Sequence, residues 1–417
     1  MKVLYDASVL GAARISQKGR TGVYRVVNEI ARYLIARDDI DLSWTAFGNH
    51  NHLDDVIEMS RSDPEMAAPV VASIWRRHCL DLLAKPLNRI AASHLYRLVA
   101  PILPAVDELK KRATFNEKLL EGFDVLHSPF GKLPDGEPGK GPVRVITVYD
   151  LIAIRFPSLF ENGISLQIEA TIQSILPSDW VLCISEATRL DLLDYRRDLN
   201  PDRVRVTPLA AGDCFRPCED EIQINQVRIK YGIPAGASYF LSVCTLEPRK
   251  NLRHLIRVFE RNYMAFPQNT YLVLVGATGW HLDELMRDIE SSPIGRVLPT
   301  GYVPDEDLAP LYSGAIAFVY VSLYEGFGLP PLEAMKCGTP TITSDNSSLP
   351  EVVGDAGIMV PANCEESLAA AMQQLASAPE VCTDLSQKGL DRALLFSWER
   401  CGQQTVQTYY DAIETRE

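Results

Sequence analysis

The sequence contains no run of about 18 consecutive apolar residues, the length that crosses a bilayer as a helix. Its start, Met1-Lys2-Val3-Leu4-Tyr5-Asp6-Ala7, lacks the long apolar core and small-residue cleavage site of a secretory leader. We therefore expect no leader, no transmembrane span and a cytoplasmic location. Excess positive charge is also missing. Lys and Arg total 41 against 54 Asp and Glu, a net charge of −13, which disfavours nucleic acid as a partner. The nine cysteines have no framework spacing. Cys214 and Cys218 form the one close pair, without a second Cys or His pair at ligand spacing. They read as free thiols of a reducing compartment, and no metal is expected. The absence of tandem short repeats excludes a solenoid. No G-x-G-x-x-G follows the first apolar run, which argues against a dinucleotide-dependent oxidoreductase.

What is present is a repeated alternation of short apolar runs with longer periodic segments, the pattern of parallel sheets covered by helices in an α/β protein. In the first half the expected strands are 2–5, 41–47, 125–127, 143–149, 180–184 and 204–208, with helices including 22–36 and 186–195. The pattern restarts at Ser238, with strands at 238–243, 271–275, 296–298, 315–320, 339–343 and 357–360 and a helix over 252–266. The 417 residues suffice for two such domains. The polar, proline-broken stretch Cys214-Phe215-Arg216-Pro217-Cys218-Glu219-Asp220 is the expected linker. Three units follow: 1–215, 216–384 and a helical tail 385–417 in which Ser397 caps the last helix.

One segment departs from the acidic average. Between Arg76 and Arg112 lie eight basic residues against three acidic ones, interleaved with leucine, isoleucine, Trp75 and Tyr96. Two readings fit residues 74–114: an amphipathic surface for an anionic membrane or a lipid-linked acceptor, or a solvated helical face over the first domain.

The chemistry concentrates elsewhere. In Glu325-Gly326-Phe327-Gly328-Leu329-Pro330-Pro331-Leu332-Glu333, two carboxylates bracket a glycine-rich turn that feeds a helix. Pro330 and Pro331 suit the first helical turn, which leaves the amides of Gly326 to Leu329 free to meet an anion such as a diphosphate. Glu333 can accept from vicinal ribose hydroxyls, and Glu325 would face the transferred group. Alone, such a pair reads first as surface charge and helix capping, and its context shifts that reading. A second cluster, Leu246-Glu247-Pro248-Arg249-Lys250-Asn251, follows the first strand of the second half, where open parallel sheets bind ligands. Arg249 and Lys250 could neutralise a departing diphosphate as a divalent metal would.

Together these segments resemble the family 4 glycosyltransferases of GT-B fold, in the bacterial polysaccharide-assembly branch. The likeness runs from Thr21-Gly22-Val23-Tyr24-Arg25 through Ser185-Glu186-Ala187-Thr188-Arg189 to Phe396-Ser397-Trp398-Glu399, and Glu325 and Glu333 match the family's E-x7-E motif. The resemblance implies two Rossmann-like, doubly wound domains facing across a cleft, the first binding the acceptor and the second a nucleotide diphosphate sugar of GDP or UDP type. It implies retaining transfer of a hexose, mannose from GDP-mannose as first guess, to a saccharide or lipid-linked saccharide, with no cofactor or metal. Glu325, Arg249 and Lys250 take catalytic roles. Glu333, Gly326, Phe327, Gly328, Leu329, Gly22, Thr245, Tyr302 and Val303 are donor-side candidates, with Tyr302 and Val303 in a base-binding loop read through backbone.

Two positions depart from the family pattern. Tyr149 stands where many relatives have His, and Cys244 where some have a second Arg. Tyr149 can donate a hydrogen bond but does not readily take a proton near neutral pH, so Asp150 becomes the acceptor-side catalytic candidate. His127 and Tyr149 remain acceptor-side candidates, His127 alternatively as a packed residue. Rival readings are another GT-B enzyme, such as a nucleotide-sugar epimerase or a phosphorylase, and a catalytically degenerate scaffold subunit.

Overall fold

The computed structural model describes residues 1–15, 22–47, 49–73, 105, 117–137, 140–160, 163–277, 279 and 282–416. Most of the basic segment 74–114 lies outside the described residues, as does Thr21.

Six strands form the first sheet: β1 Lys2–Asp6, β2 Asp41–Thr45, β3 Val125–Ser128, β4 Val143–Val148, β5 Trp180–Cys183 and β6 Val204–Val206. They pair in the order β2-β1-β3-β4-β5-β6, all parallel. Every residue of β3 and β5 is buried, as expected for parallel strands covered on both faces. The helix Gly22–Ile35 covers one face by burying Val26, Val27, Ile30, Ala31 and Leu34, a single stripe at helical spacing. The helix Glu186–Tyr195 starts where the Ser185 hydroxyl accepts the Thr188 amide at 3.0 Å.

The second sheet comprises β7 Ser238–Val243, β8 Thr270–Val275, β9 Val297–Gly301, β10 Ala317–Tyr320, β11 Thr341–Ser344 and β12 Ile358–Val360. Its order is β12-β11-β10-β7-β8-β9, again all parallel. Chain order reverses between β7 and β10, and it is at the carboxyl ends of such neighbouring strands that open parallel sheets bind ligands. Between β1 and β3 the first sheet has the corresponding reversal.

The expected helix over 252–266 ends early, at Arg261, followed by a short 3-10 turn over Tyr263–Ala265. The last helix, Trp398–Glu414, is capped by Ser397, whose hydroxyl accepts the Arg400 amide at 3.1 Å. It crosses back to the first sheet, packing on the helix Gly22–Ile35 and on β4 and β5. One continuous apolar core joins Val3 and Tyr5 of β1 to Leu241 of β7 and Tyr409 of this helix. Among the described residues, no helix is long and apolar enough to cross a membrane.

Candidate active site

The loops leaving β7 and β10 are fastened together. After β7, Pro248–Lys250 makes one 3-10 turn, and Asn251 ends it in a left-handed conformation (φ 58°). The Asn251 side-chain amide donates to the carbonyls of Val321 (3.2 Å) and Ala362 (2.8 Å). The Leu323 amide and the Ser322 hydroxyl donate to the Arg249 carbonyl at 2.9 and 3.1 Å. Both cations are thereby aimed at the turn after β10.

They converge on Glu325. An Arg249 guanidinium nitrogen lies 2.7 Å from Oε2 and Lys250 Nζ lies 2.6 Å from Oε1, which also accepts the Tyr320 hydroxyl at 2.9 Å. Burial pushes the Glu325 carboxyl up, but Arg249 and Lys250 outweigh it and hold the group at about 2. Arg249 has a second carboxylate, Glu247, at 2.5 Å. Lys250 Nζ also sits 5.1 Å above the Tyr320 ring. Two cations thus face two buried carboxylates. Sequence reasoning missed Glu247 and Tyr320. The first carried no role within its segment and the second fell at the end of an expected strand.

The turn then enters the helix Leu329–Lys336, with Pro330 and Pro331 in its first turn. Gly328 precedes it at φ 127°, a backbone conformation that L side chains rarely adopt. Among the described residues, the amides of Gly326, Phe327, Gly328 and Leu329 have no protein acceptor. They follow directly on Glu325 and lead into the helix start, where unpaired amides can meet an anion. Phe327 anchors the turn by its buried ring, 5.9 Å edge-on to Phe396. Glu333, a turn into the helix, is buried and ion-paired with Arg25 of the N-terminal half at 2.5 Å.

Gly326 meets the other half. A Cβ there would lie 2.5 Å from the Tyr149 carbonyl oxygen and 2.9 Å from Asp150 Cβ, so only glycine permits this approach. The Thr188 hydroxyl sits between the halves, 3.0 Å from the Tyr149 carbonyl oxygen and 3.3 Å from that of Gly326. Asp150 therefore stands beside the turn that carries Glu325. Its carboxylate accepts the Ile152 amide at 3.0 Å, and burial raises its pKa. Gly22 faces the helix start, where an added Cβ would be 3.6 Å from Leu329 Cδ1.

The remaining candidates separate. Thr245 and Tyr302 stand exposed beyond β7 and β9, while the Val303 side chain is buried in the core. For His127 the surroundings match the packed alternative. Its ring is buried, with Nδ1 2.6 Å from the Tyr409 hydroxyl and Nε2 2.9 Å from the Thr147 hydroxyl, and burial drives its pKa down to about 3. The Tyr149 hydroxyl is buried, without a hydrogen-bond partner among the described residues, and the side chain lines a small cavity that His127 also lines. Cys244 is held beside Lys250 and Glu325, with burial pushing its thiol up to about 12.

Comparison with known proteins places the chain in a family. Residues 223–392 match the family model described as glycosyl transferases group 1. Over 267 residues the chain is 36% identical to the O-antigen chain mannosyltransferase B of Escherichia coli, covering 64% of this chain and 69% of that protein. It is 29% identical over 242 residues to the serotype-specific mannosyltransferase WbdA of Escherichia coli, a match spanning 57% of this chain but 29% of that longer protein. The fold superposes on sucrose-phosphate synthase from Thermosynechococcus elongatus with a TM-score of 0.65 over the whole of both chains, at 18% identity. Two doubly wound parallel sheets, a basic pair against a buried glutamate at their crevice and a close O-antigen relative lead to one conclusion: the chain belongs to the group 1 glycosyl transferases, as a hexosyltransferase of GT-B fold similar to the bacterial O-antigen mannosyltransferases.

Proposed function

We propose that the enzyme transfers mannose from GDP-mannose, with retention of anomeric configuration and without a metal ion, to a saccharide or lipid-linked saccharide of a surface polysaccharide on the cytoplasmic side of the membrane. The observation that carries this reading is the convergence of Arg249 and Lys250 on the turn whose free amides open the helix Leu329–Lys336. The choice of sugar rests on the relatives named mannosyltransferases.

The C-terminal half takes the donor. Its diphosphate settles on the amides of Phe327 to Leu329, and Glu333 receives the ribose. As the bond to the anomeric carbon breaks, negative charge grows on the leaving oxygens. Arg249 and Lys250 neutralise that charge where a metal ion would otherwise stand. Both are already desolvated and oriented by Glu325 and Glu247, so little reorganisation accompanies the step. Glu325 stays ionised and fixes the cations beside the sugar. The departing diphosphate oxygen takes the acceptor's proton on the face where the acceptor attacks. Asp150, reaching the site from the N-terminal half, orients the acceptor hydroxyl. Gly326 seats the halves close enough to keep water from the reacting carbon.

A panel of nucleotide sugars assayed for slow hydrolysis, with EDTA present, tests the reading. GDP-mannose should be hydrolysed fastest, and Lys250→Ala and Glu333→Ala should suppress it. Epimerised sugar nucleotide without hydrolysis, or dependence on added Mg²⁺ or Mn²⁺, would count against it.

A further inference from the structure

The carboxylate expected to receive the donor's ribose is occupied by the protein itself. Arg25 leaves the first turn of the helix Gly22–Ile35 and places one guanidinium nitrogen 2.5 Å from Glu333 Oε1. A second nitrogen lies 2.6 Å from Asp305 Oδ2, and the guanidinium carbon sits 5.4 Å from the Phe215 ring centre. The Tyr312 hydroxyl lies 3.2 Å from Glu333 Oε2. Both oxygens of a side chain that is 7% exposed are therefore engaged, one of them by a residue of the opposite half.

Vicinal ribose hydroxyls would offer Glu333 the same thing that Arg25 offers, a pair of hydrogen-bond donors along the carboxylate. Both cannot hold it in this confined space. Arg25 stays charged and needs an anion wherever it goes. Asp305, 49% exposed, already holds its other nitrogen. Resting on the donor reading above, we propose that Arg25 is a donor-affinity residue supplied by the N-terminal half: it occupies Glu333 in the ligand-free enzyme, and the ribose hydroxyls take its place while Asp305 retains it.

The exchange makes apparent donor affinity depend on the fraction of molecules in which Glu333 is free. It also explains why an arginine of one half reaches the nucleotide carboxylate of the other. Arriving donor releases one link across the cleft as it forms its own.

Calorimetric titration of GDP and of its 2′,3′-dideoxy counterpart into wild type, Arg25→Gln and Asp305→Asn tests this, with circular dichroism confirming that each variant is folded. Arg25→Gln should bind GDP about three- to tenfold more tightly. Asp305→Asn, which removes the anion that retains Arg25, should bind it a few-fold more weakly. The dideoxy compound, unable to use Glu333, should bind all three proteins alike. Equal weakening of both nucleotides by Arg25→Gln, tighter GDP binding by Asp305→Asn, or unchanged GDP affinity in both variants overturns the exchange. Wild type binding neither nucleotide would instead remove the donor reading beneath it.

Discussion

Lys250 Nζ lies 2.6 Å from Glu325 Oε1, joining the loops that leave two adjacent strands at the point where chain order in the second sheet reverses. Breaking one partner of a buried pair of this kind leaves the other charge uncompensated, which costs more than the pair itself contributes. Glu325 is thus fixed by its cations as much as they are by it.

This pairing dictates a pH dependence. Glu325 is held at about 2 against an ordinary 4.5, so its ionised form stabilises the fold above pH 4.5, and that contribution is lost as the pH falls toward 2. Glu325→Gln should be less stable than wild type at pH 7, and the difference should shrink on acidification through that window. Glu333, whose pKa burial raises, acts in the opposite direction in both proteins and drops out of the comparison, whereas Asp150, raised by burial and in part by Glu325 itself, offsets some of the change. Urea unfolding at pH 3, 5 and 7 measures the effect. A gap between the two proteins that widens on acidification would contradict it.

Gly326→Ala tests the contact between the halves. The added methyl would collide with the Tyr149 carbonyl oxygen at 2.5 Å, backbone that cannot swing aside. We expect a stability loss of roughly 1–3 kcal/mol and a larger proportional loss in kcat, because the methyl would separate Asp150 from Glu325. Steady-state kinetics beside thermal unfolding separates the two effects. Unchanged kcat with lowered stability would mean that this approach does not serve the reaction.

Much of this was legible before coordinates. The alternation of apolar runs located all twelve strands among the described residues, because parallel strands covered on both faces are apolar over most of their length. The glutamate-bracketed glycine turn and the Arg249–Lys250 pair were visible because glycine, proline and clustered charge have few other uses after a buried strand. Pairings between distant segments were not legible. Nothing local to Arg25 announces Glu333, 308 residues away, or marks Tyr320 as a partner of Lys250. The surroundings of His127 were not legible either, because a histidine next to a sheet crevice looks the same whether it faces solvent or, as here, Thr147 and Tyr409.

His127→Gln tests the packed role of this histidine. With both ring nitrogens engaged in the core and its pKa lowered to about 3, His127 stays neutral throughout the working range. The substitution should cost about 1–3 kcal/mol of stability through lost buried hydrogen bonds. The pH–rate profile between pH 5.5 and 8 should keep its shape. Loss of an activity limb near pH 6.5 in this variant would restore His127 to the site.

Glu351 makes another link between the halves. Its carboxylate accepts the amides of Glu186 and Ala187 at 2.8 and 3.0 Å, acting as a borrowed cap at the start of the helix Glu186–Tyr195. Glu351→Ala should lower stability by about 0.5–2 kcal/mol and broaden the unfolding transition as the halves uncouple. Differential scanning calorimetry reads both. A sharp transition at the wild-type temperature would show that the cap carries no load.

The grip on the diphosphate is tested most directly by calorimetry of GDP, UDP and the corresponding nucleosides in EDTA, with wild type and with an Arg249→Ala, Lys250→Ala double variant. One of the two diphosphates should bind wild type without any divalent cation and lose about 10²-fold or more in the variant. Nucleoside binding should not change. Diphosphate affinity that survives removal of both cations, or that appears only when Mg²⁺ is restored, would contradict a cradle built from Arg249, Lys250 and the helix-start amides.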